Sequence, residues 1–100
     1  MIRVTDKDLG VWVRFDEELP DPDIRFQIAV VELAKKHGYD INTEIWEEDK
    51  LKFFAGESDE GMQKDLFYAF DFSAQWLEEQ LSDGYELEVQ DAGLVIVKLT

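Results

Sequence analysis

The spacing of apolar residues predicts two helices, and the first has clear end signals. It begins at Asp21 and Pro22, because an aspartate can cap a helix and proline suits the first helical turn. Three cationic residues at 35–37 suit the negative end of the helix, and Gly38 supplies a left-handed stop. Apolar residues cover most of its circumference, so we expect it to lie at the centre of the fold.

The second predicted helix follows Ser58 and ends near residues 82–83, with Gly84 as its stop. Large apolar residues recur on one face of this segment at helical spacing. This face, which should point into the core, carries Met62, Leu66, Phe70, Leu77 and Leu81.

Alternation of apolar and polar residues predicts strands before, between and after the helices. Residues 2–5 and 11–15 form the first pair, and residues 41–45 and 51–55 form the second. Residues 85–90 and 94–97 form the third pair across a tight turn at residues 91–93. The last strand is apolar on both faces, which favours a place inside the sheet.

These elements follow one another as β-β-α-β-β-α-β-β. The order predicts a single α+β domain over residues 1–100, with an antiparallel sheet of five to six strands and two helices on one face. Residues 37–41 and 83–87 each close a helix and open a predicted hairpin, which indicates either an internal duplication or one helix ending used twice.

Composition limits the classes of partner. Asp and Glu number 24 against 10 Lys and Arg, a formal net charge of -14, while 45% of residues are hydrophobic. The apolar content favours a folded chain over a disordered acidic tail. The charge disfavours direct binding to nucleic acid or to an anionic membrane, since both would repel it. The chain has no cysteine and no apolar run near the roughly 18 residues of a membrane span, so we expect a cytoplasmic protein.

The inventory of chemically active residues is thin, so we expect no catalytic residue, no cofactor and no metal ion. His37 is the only histidine, and its place at a helix end is explained by the helix dipole. The acidic pairs do not continue as calcium-binding loops, and the glycines do not form a phosphate-binding loop. These observations favour a protein that is not an enzyme.

The placement of charge is more informative than its total. No Lys or Arg occurs from Asp65 to Val97, a segment that contains eight acidic residues. Glu79 and Asp83, four residues apart on the second predicted helix, are expected to lie about 5–6 Å apart, comparable to successive phosphates along a strand. The predicted partner-binding acids are Asp71, Glu78, Glu79, Asp83, Glu86 and Glu88, with Glu17, Glu18, Asp21 and Asp23 as a second group.

Aromatic residues also recur every four positions on the second helix, on the side away from its core face. This stripe contains Tyr68, Phe72 and Trp76, and its last two members are the candidate apolar anchors for a partner. The alternatives are burial of the stripe within the fold or pairing with a second copy in a homodimer. Trp12, which alternates with the apolar residues of its strand, raises the same question.

Together these features favour a non-enzymatic acidic interaction domain that inhibits a nuclease or another nucleic-acid-binding protein. Its carboxylates would cover the basic protein surface where phosphates otherwise bind, as a nucleic-acid mimic. Small phage-encoded inhibitors and immunity proteins are functional classes of this character, by analogy alone. The alternative is an oligomeric structural or accessory subunit whose acidity serves solubility.

Overall fold

Three α-helices and one three-stranded antiparallel sheet make up the described part of the chain, which in this computed structural model is residues 2–41, 43–57 and 59–99. A short 3-10 turn at Asp6–Asp8 precedes the regular elements. These elements are β1 (Gly10–Arg14), α1 (Pro22–Lys36), α2 (Thr43–Phe54), α3 (Glu60–Gln80), β2 (Tyr85–Gln90) and β3 (Gly93–Lys98). The α+β class is confirmed, whereas the sheet of five to six strands and the β-β-α-β-β-α-β-β order are wrong.

Helix α1 has the predicted ends. Pro22 is its first residue, and Gly38, with a φ of 106°, reverses the chain after the last turn. Asp21 adopts the left-handed conformation, with a φ of 50°, and its side chain makes no capping hydrogen bond. The predicted capping role of Asp21 is therefore wrong, although its backbone carbonyl accepts the Arg25 N–H at 3.1 Å.

The sheet has the strand order β1-β3-β2, which confirms that the last strand lies inside it. Gly93 is required where β3 begins, because a Cβ there would clash with the Val13 carbonyl oxygen and its φ is 131°. The pairing of β1 with β3 is irregular between Val11 and Val13, so that Trp12 packs into the core.

The predicted first hairpin does not form. Thr5 and Asp8 cap the 3-10 turn reciprocally, and this turn leads the chain into β1 without a return strand beside it. Ile2 instead makes an isolated parallel bridge with Leu81 at the exit of α3. The Ser82 hydroxyl secures this junction by accepting the backbone N–H of Val4 at 3.0 Å and donating to its carbonyl at 2.9 Å.

The predicted second hairpin, residues 41–45 and 51–55, is also wrong, because most of this segment forms α2. Its signal is helical: Trp46 and Phe53 are seven residues apart, and both are buried in one cluster. The charged residues between them form ion pairs at helical spacing, Glu47 with Lys50 at 3.2 Å and Glu48 with Lys52 at 3.6 Å. The repeat at residues 37–41 and 83–87 therefore has no structural counterpart, because Gly38 follows the end of α1, whereas α3 ends at Gln80 and Gly84 lies in the turn before β2. Asn42, which belongs to the first strand of this predicted hairpin, lies outside the described residues.

Helix α3 begins one residue later than predicted and ends before residue 82. The Asp59 carboxylate caps it by accepting the Met62 N–H at 2.8 Å, while Ser58 lies outside the described residues. After Gln80 the backbone becomes extended, because Leu81 pairs with the N-terminal segment.

Helix α1 is buried on two sides, which joins the layers of the fold. One side packs against the sheet and the end of α3, through Phe26, Val30 and Ala34 beside Leu77 and Leu94. The other side packs against α2 and the start of α3, in a cluster formed by Ile28, Val31, Trp46, Phe53, Met62 and Leu66. In the described part of the chain, no helix is both long and apolar enough to cross a membrane.

Two serines provide a test of this packing. The Ser73 hydroxyl is fully buried and has no hydrogen-bond partner among the described residues, whereas the Ser82 hydroxyl makes two bonds. Ser73→Ala should raise the free energy of unfolding by about 1 kcal/mol, because it removes an unsatisfied polar group. Ser82→Ala should lower it by about 1–2 kcal/mol. Urea denaturation checks both values, and a loss of stability in Ser73→Ala would contradict the described packing.

Candidate functional site

The acidic surface consists of the carboxylates that form no ion pair with a lysine or an arginine within the described residues. In the described part of the chain, four lysines form ion pairs, and their partners are Asp6, Glu32, Glu47 and Glu48. No carboxylate of residues 16–23 or 65–97 takes part in any of these pairs. The two predicted acidic groups therefore keep their charge unneutralised within the described chain.

The predicted acids of α3 lie at or near its exposed surface, and one of them also supports the sheet. Glu78 accepts the backbone N–H of Leu87 at 3.0 Å, which satisfies a donor on the outer edge of β2. Asp71 accepts a hydrogen bond from the Gln75 amide at 3.2 Å, while Glu79 is exposed without such a bond among the described residues. Because α3 ends at Gln80, the helical spacing expected between Glu79 and Asp83 does not apply.

The acids of β2 lie on the other face of the sheet. Leu87 packs in the core beneath the helices, so its neighbours Glu86 and Glu88 point away from the helices. Asp83 is exposed in the turn between α3 and β2. The six predicted acids thus divide between two faces that meet near this turn.

The second predicted group lies at the opposite end of the sheet. Glu17, Glu18, Asp21 and Asp23 are all exposed in or beside the loop that leads into α1. Glu17 and Asp23 line a groove of about 430 Å³ together with Asp91 of the β2-β3 turn. Strand β2 alone separates this turn from Asp83 by roughly 17 Å, so the chain presents two acidic regions.

The aromatic stripe is only partly exposed. Tyr68 is 48% exposed and Phe72 is 56% exposed, whereas Trp76 is half-buried and stacks on Tyr39 with ring centroids 5.3 Å apart. Phe67, which the sequence pattern did not single out, is 50% exposed on the same helix. Phe72 is therefore the more accessible of the two predicted anchors.

A groove of about 300 Å³ lies between α2 and α3, and part of the stripe forms its wall. Helix α2 contributes Trp46 and Asp49, and α3 contributes Asp65, Tyr68 and Phe72. Tyr39, in the segment between α1 and α2, completes what we call the aromatic groove: Tyr39, Trp46, Asp49, Asp65, Tyr68 and Phe72.

No groove was predicted from Tyr39, Asp49 and Asp65, because residues 41–55 were expected to form a hairpin and not a helix packed beside α3. The available signal was the spacing of Trp46, Asp49 and Phe53, which puts all three on one side of a helix. That spacing identifies a carboxylate on the buried side of α2, but the groove itself depends on where α3 packs.

Asp49 is the unusual residue of the aromatic groove. Its residue surface is only 8% exposed, and no described residue forms a hydrogen bond or an ion pair with its carboxylate. Burial raises the pKa of this carboxyl, and the nearby Asp65 carboxylate raises it further. Glu48 and Asp59 act in the same direction, and Lys52 opposes them. The ionised form of Asp49 is therefore held at a cost in stability.

His37, the other titratable residue considered for chemistry, lies at the C-terminal cap of α1. Its ring is 5.8 Å from that of Trp12, with an angle of 58° between the planes. Among the described residues, no three Asp, Glu or His side chains converge as a metal-binding group.

The destabilising effect of ionised Asp49 can be measured as a change in the free energy of unfolding with pH. Because its folded-state pKa lies above the ordinary value of 3.8, the stability of the protein falls as pH rises from that value through the raised pKa. Asp49→Asn should remove this loss and raise the free energy of unfolding at pH 7 by about 0.5–2 kcal/mol. Unfolding measured across this pH range checks the expectation, and an Asn variant less stable than wild type at pH 7 would contradict it.

Glu32 is the matched control, because its pKa is shifted in the opposite direction from that of Asp49. Burial acts to raise its pKa, but hydrogen bonds from Lys50 and from the Trp46 indole outweigh burial and lower it below 4.5. The ionised Glu32 therefore stabilises the fold above pH 4.5, and this contribution is lost as pH falls through the lowered pKa. Glu32→Gln should destabilise the protein at pH 7 and have a smaller effect in acid.

Comparisons with protein families, with curated proteins and with solved structures find no match to this chain.

Proposed function

We propose that this protein is a non-enzymatic acidic interaction domain that covers the basic site of a nuclease or another nucleic-acid-binding protein in the cytoplasm. The observation that carries the proposal is the set of unpaired carboxylates. From Asp65 to Val97 the chain has eight acids and no cation, and none of these acids forms an ion pair within the described residues. Such a surface complements a large basic one and repels nucleic acid and anionic lipid.

The positions of the lysine ion pairs support a functional origin of this charge. Some lysines form ion pairs that connect two segments of the fold, as Lys35 and Lys50 do between α1 and α2. The end of α3, the following turn and β2 receive none, although self-repulsion there opposes folding. Nucleic-acid-binding sites are large basic surfaces, so they are the partners that this charge fits best.

Two variants with equal loss of charge test the proposal by affinity capture from native lysate. Glu79→Gln/Asp83→Asn removes two carboxylates of the proposed surface, and Asp40→Asn/Glu57→Gln removes two exposed carboxylates elsewhere. The wild-type protein and the second variant should retain a basic protein at low salt and lose it at high salt. The first variant should retain about two- to thirtyfold less of this protein, since each exposed charged contact is worth about 0.2–1 kcal/mol.

The captured protein is then assayed for nucleic-acid binding or cleavage. Addition of the wild-type domain should inhibit that activity, and excess nucleic acid should displace the domain. Equal capture by both variants, capture that does not depend on salt, or simultaneous binding of domain and nucleic acid would each overturn the proposal.

The exposure of Phe67, Tyr68 and Phe72 favours a second candidate, a homo-oligomeric subunit that pairs through this part of α3. Light scattering of the purified protein separates the two functions. Under the leading proposal, wild type and Phe72→Ala should both be monomers over a range of concentration. A stable wild-type dimer that Phe72→Ala dissociates would favour the second candidate.

A further inference from the structure

We infer that the aromatic groove between α2 and α3 binds the arginine side chain of a basic partner protein, and this inference rests on the proposed function. The groove combines aromatic walls with a buried, unpaired carboxylate, which an acidic surface alone does not provide. It thus gives the interface a specific anchoring point.

The ring faces and the size of the groove fit one guanidinium group. A guanidinium is planar, stacks on aromatic rings and is more weakly hydrated than an ammonium, so it enters such a site at a lower cost. Tyr68 and Phe72 are each about half exposed, but the Lys64 ammonium already lies 6.0 Å from the Tyr68 ring centroid, so Phe72 offers the unoccupied ring for this contact. A volume of about 300 Å³ is at the lower limit of small-molecule pockets, which suits a single side chain.

The charge inside the groove requires a cation. Asp49 is 8% exposed without a described hydrogen-bond or ion-pair partner, and both lysines near it in its helix are paired elsewhere, Lys50 with Glu32 at 2.9 Å and Lys52 with Glu48 at 3.6 Å. A guanidinium can offer two parallel N–H donors to a carboxylate, which would convert an isolated buried charge into a hydrogen-bonded pair. Asp65 adds a second negative charge at the same site.

Other occupants satisfy the groove less well. A neutral apolar side chain would leave the Asp49 charge buried without a partner, which is costly. A second copy of this chain would bring another body of net charge -14 against the same surface. Charge complementarity therefore favours a cationic protein segment.

A short peptide tests the inference without the natural partner. The probe carries one arginine between glycine and serine residues, and the control peptide carries citrulline, whose neutral urea group has the same shape. Three tryptophans provide the readout by NMR of their indole N–H groups: Trp46 lines the groove, Trp76 stacks on its wall, and Trp12 packs elsewhere in the core. The arginine peptide should shift the Trp46 and Trp76 signals and leave Trp12 unchanged.

Three variants assign the contacts. Asp49→Asn should weaken binding of the arginine peptide by about tenfold or more, the size of a charged hydrogen bond. Phe72→Ala should weaken it about threefold, the size of an accessible cation–π contact. Glu57→Gln is the matched control, because it removes one exposed carboxylate that lies outside both the groove and the proposed acidic surface, and it should bind as wild type does.

The outcomes separate this inference from the proposed function. Salt-sensitive binding that shifts signals around Glu79 and Asp83 but not Trp46 would overturn the groove as the arginine site and leave the acidic interface standing. Equal binding of the citrulline peptide, or no effect of Asp49→Asn, would also overturn the inference. Binding of the arginine peptide nowhere on the protein would overturn the inference, while the proposed function is decided by the capture experiment.

Discussion

The fold depends on the burial of α1 on two sides. Val30, Val31 and Ala34 are completely buried, and they point toward different neighbours, so one covering layer is not enough. The sheet covers one side and α2 covers the other, while α3 is long enough at 21 residues to contact both layers. The position of the aromatic groove follows from this arrangement, because it lies where α2 and α3 meet beside α1.

Lysines reinforce the same arrangement at the surface. Lys50 reaches Glu32 of α1 at 2.9 Å, and the Trp46 indole donates to the same carboxylate at 2.9 Å, so α2 is held against α1 in a fixed orientation. Lys98 binds Asp6 at 3.1 Å and holds the N-terminal turn near the sheet. Such exposed or half-exposed pairs contribute little each, about 0.2–1 kcal/mol, and none of them includes an acid of α3 or β2. The ion pairs that support the local fold therefore leave the acidic surface free.

The sequence predicted α1 and the last hairpin because their signals are local. Pro22 and Gly38 determine the ends of α1, and the apolar run before Lys98 places β3 in the centre of the sheet. Helix α2 was missed because the alternation from Ile41 to Ile45 indicates a strand. This alternation is too short to outweigh the helical spacing of Trp46 and Phe53 in the folded chain. The predicted pairing of residues 2–5 with residues 11–15 is wrong because the partner of Ile2 is Leu81, 79 positions away, which no local pattern reveals. The aromatic groove had the same obstacle, since its residues run from Tyr39 to Phe72.

The acidic surface and the aromatic groove would contribute differently to a complex. Exposed carboxylates act over about 8–10 Å at physiological salt, so they accelerate encounter and orient the partner but add little lasting affinity. Asp49 is mostly buried, and a cation bound there must break a partly desolvated, hydrogen-bonded contact before it leaves. Differences in affinity between related complexes lie mostly in the dissociation rate. Recognition of many basic surfaces would then follow from the carboxylates, and selection of one partner would follow from an arginine placed to reach the groove.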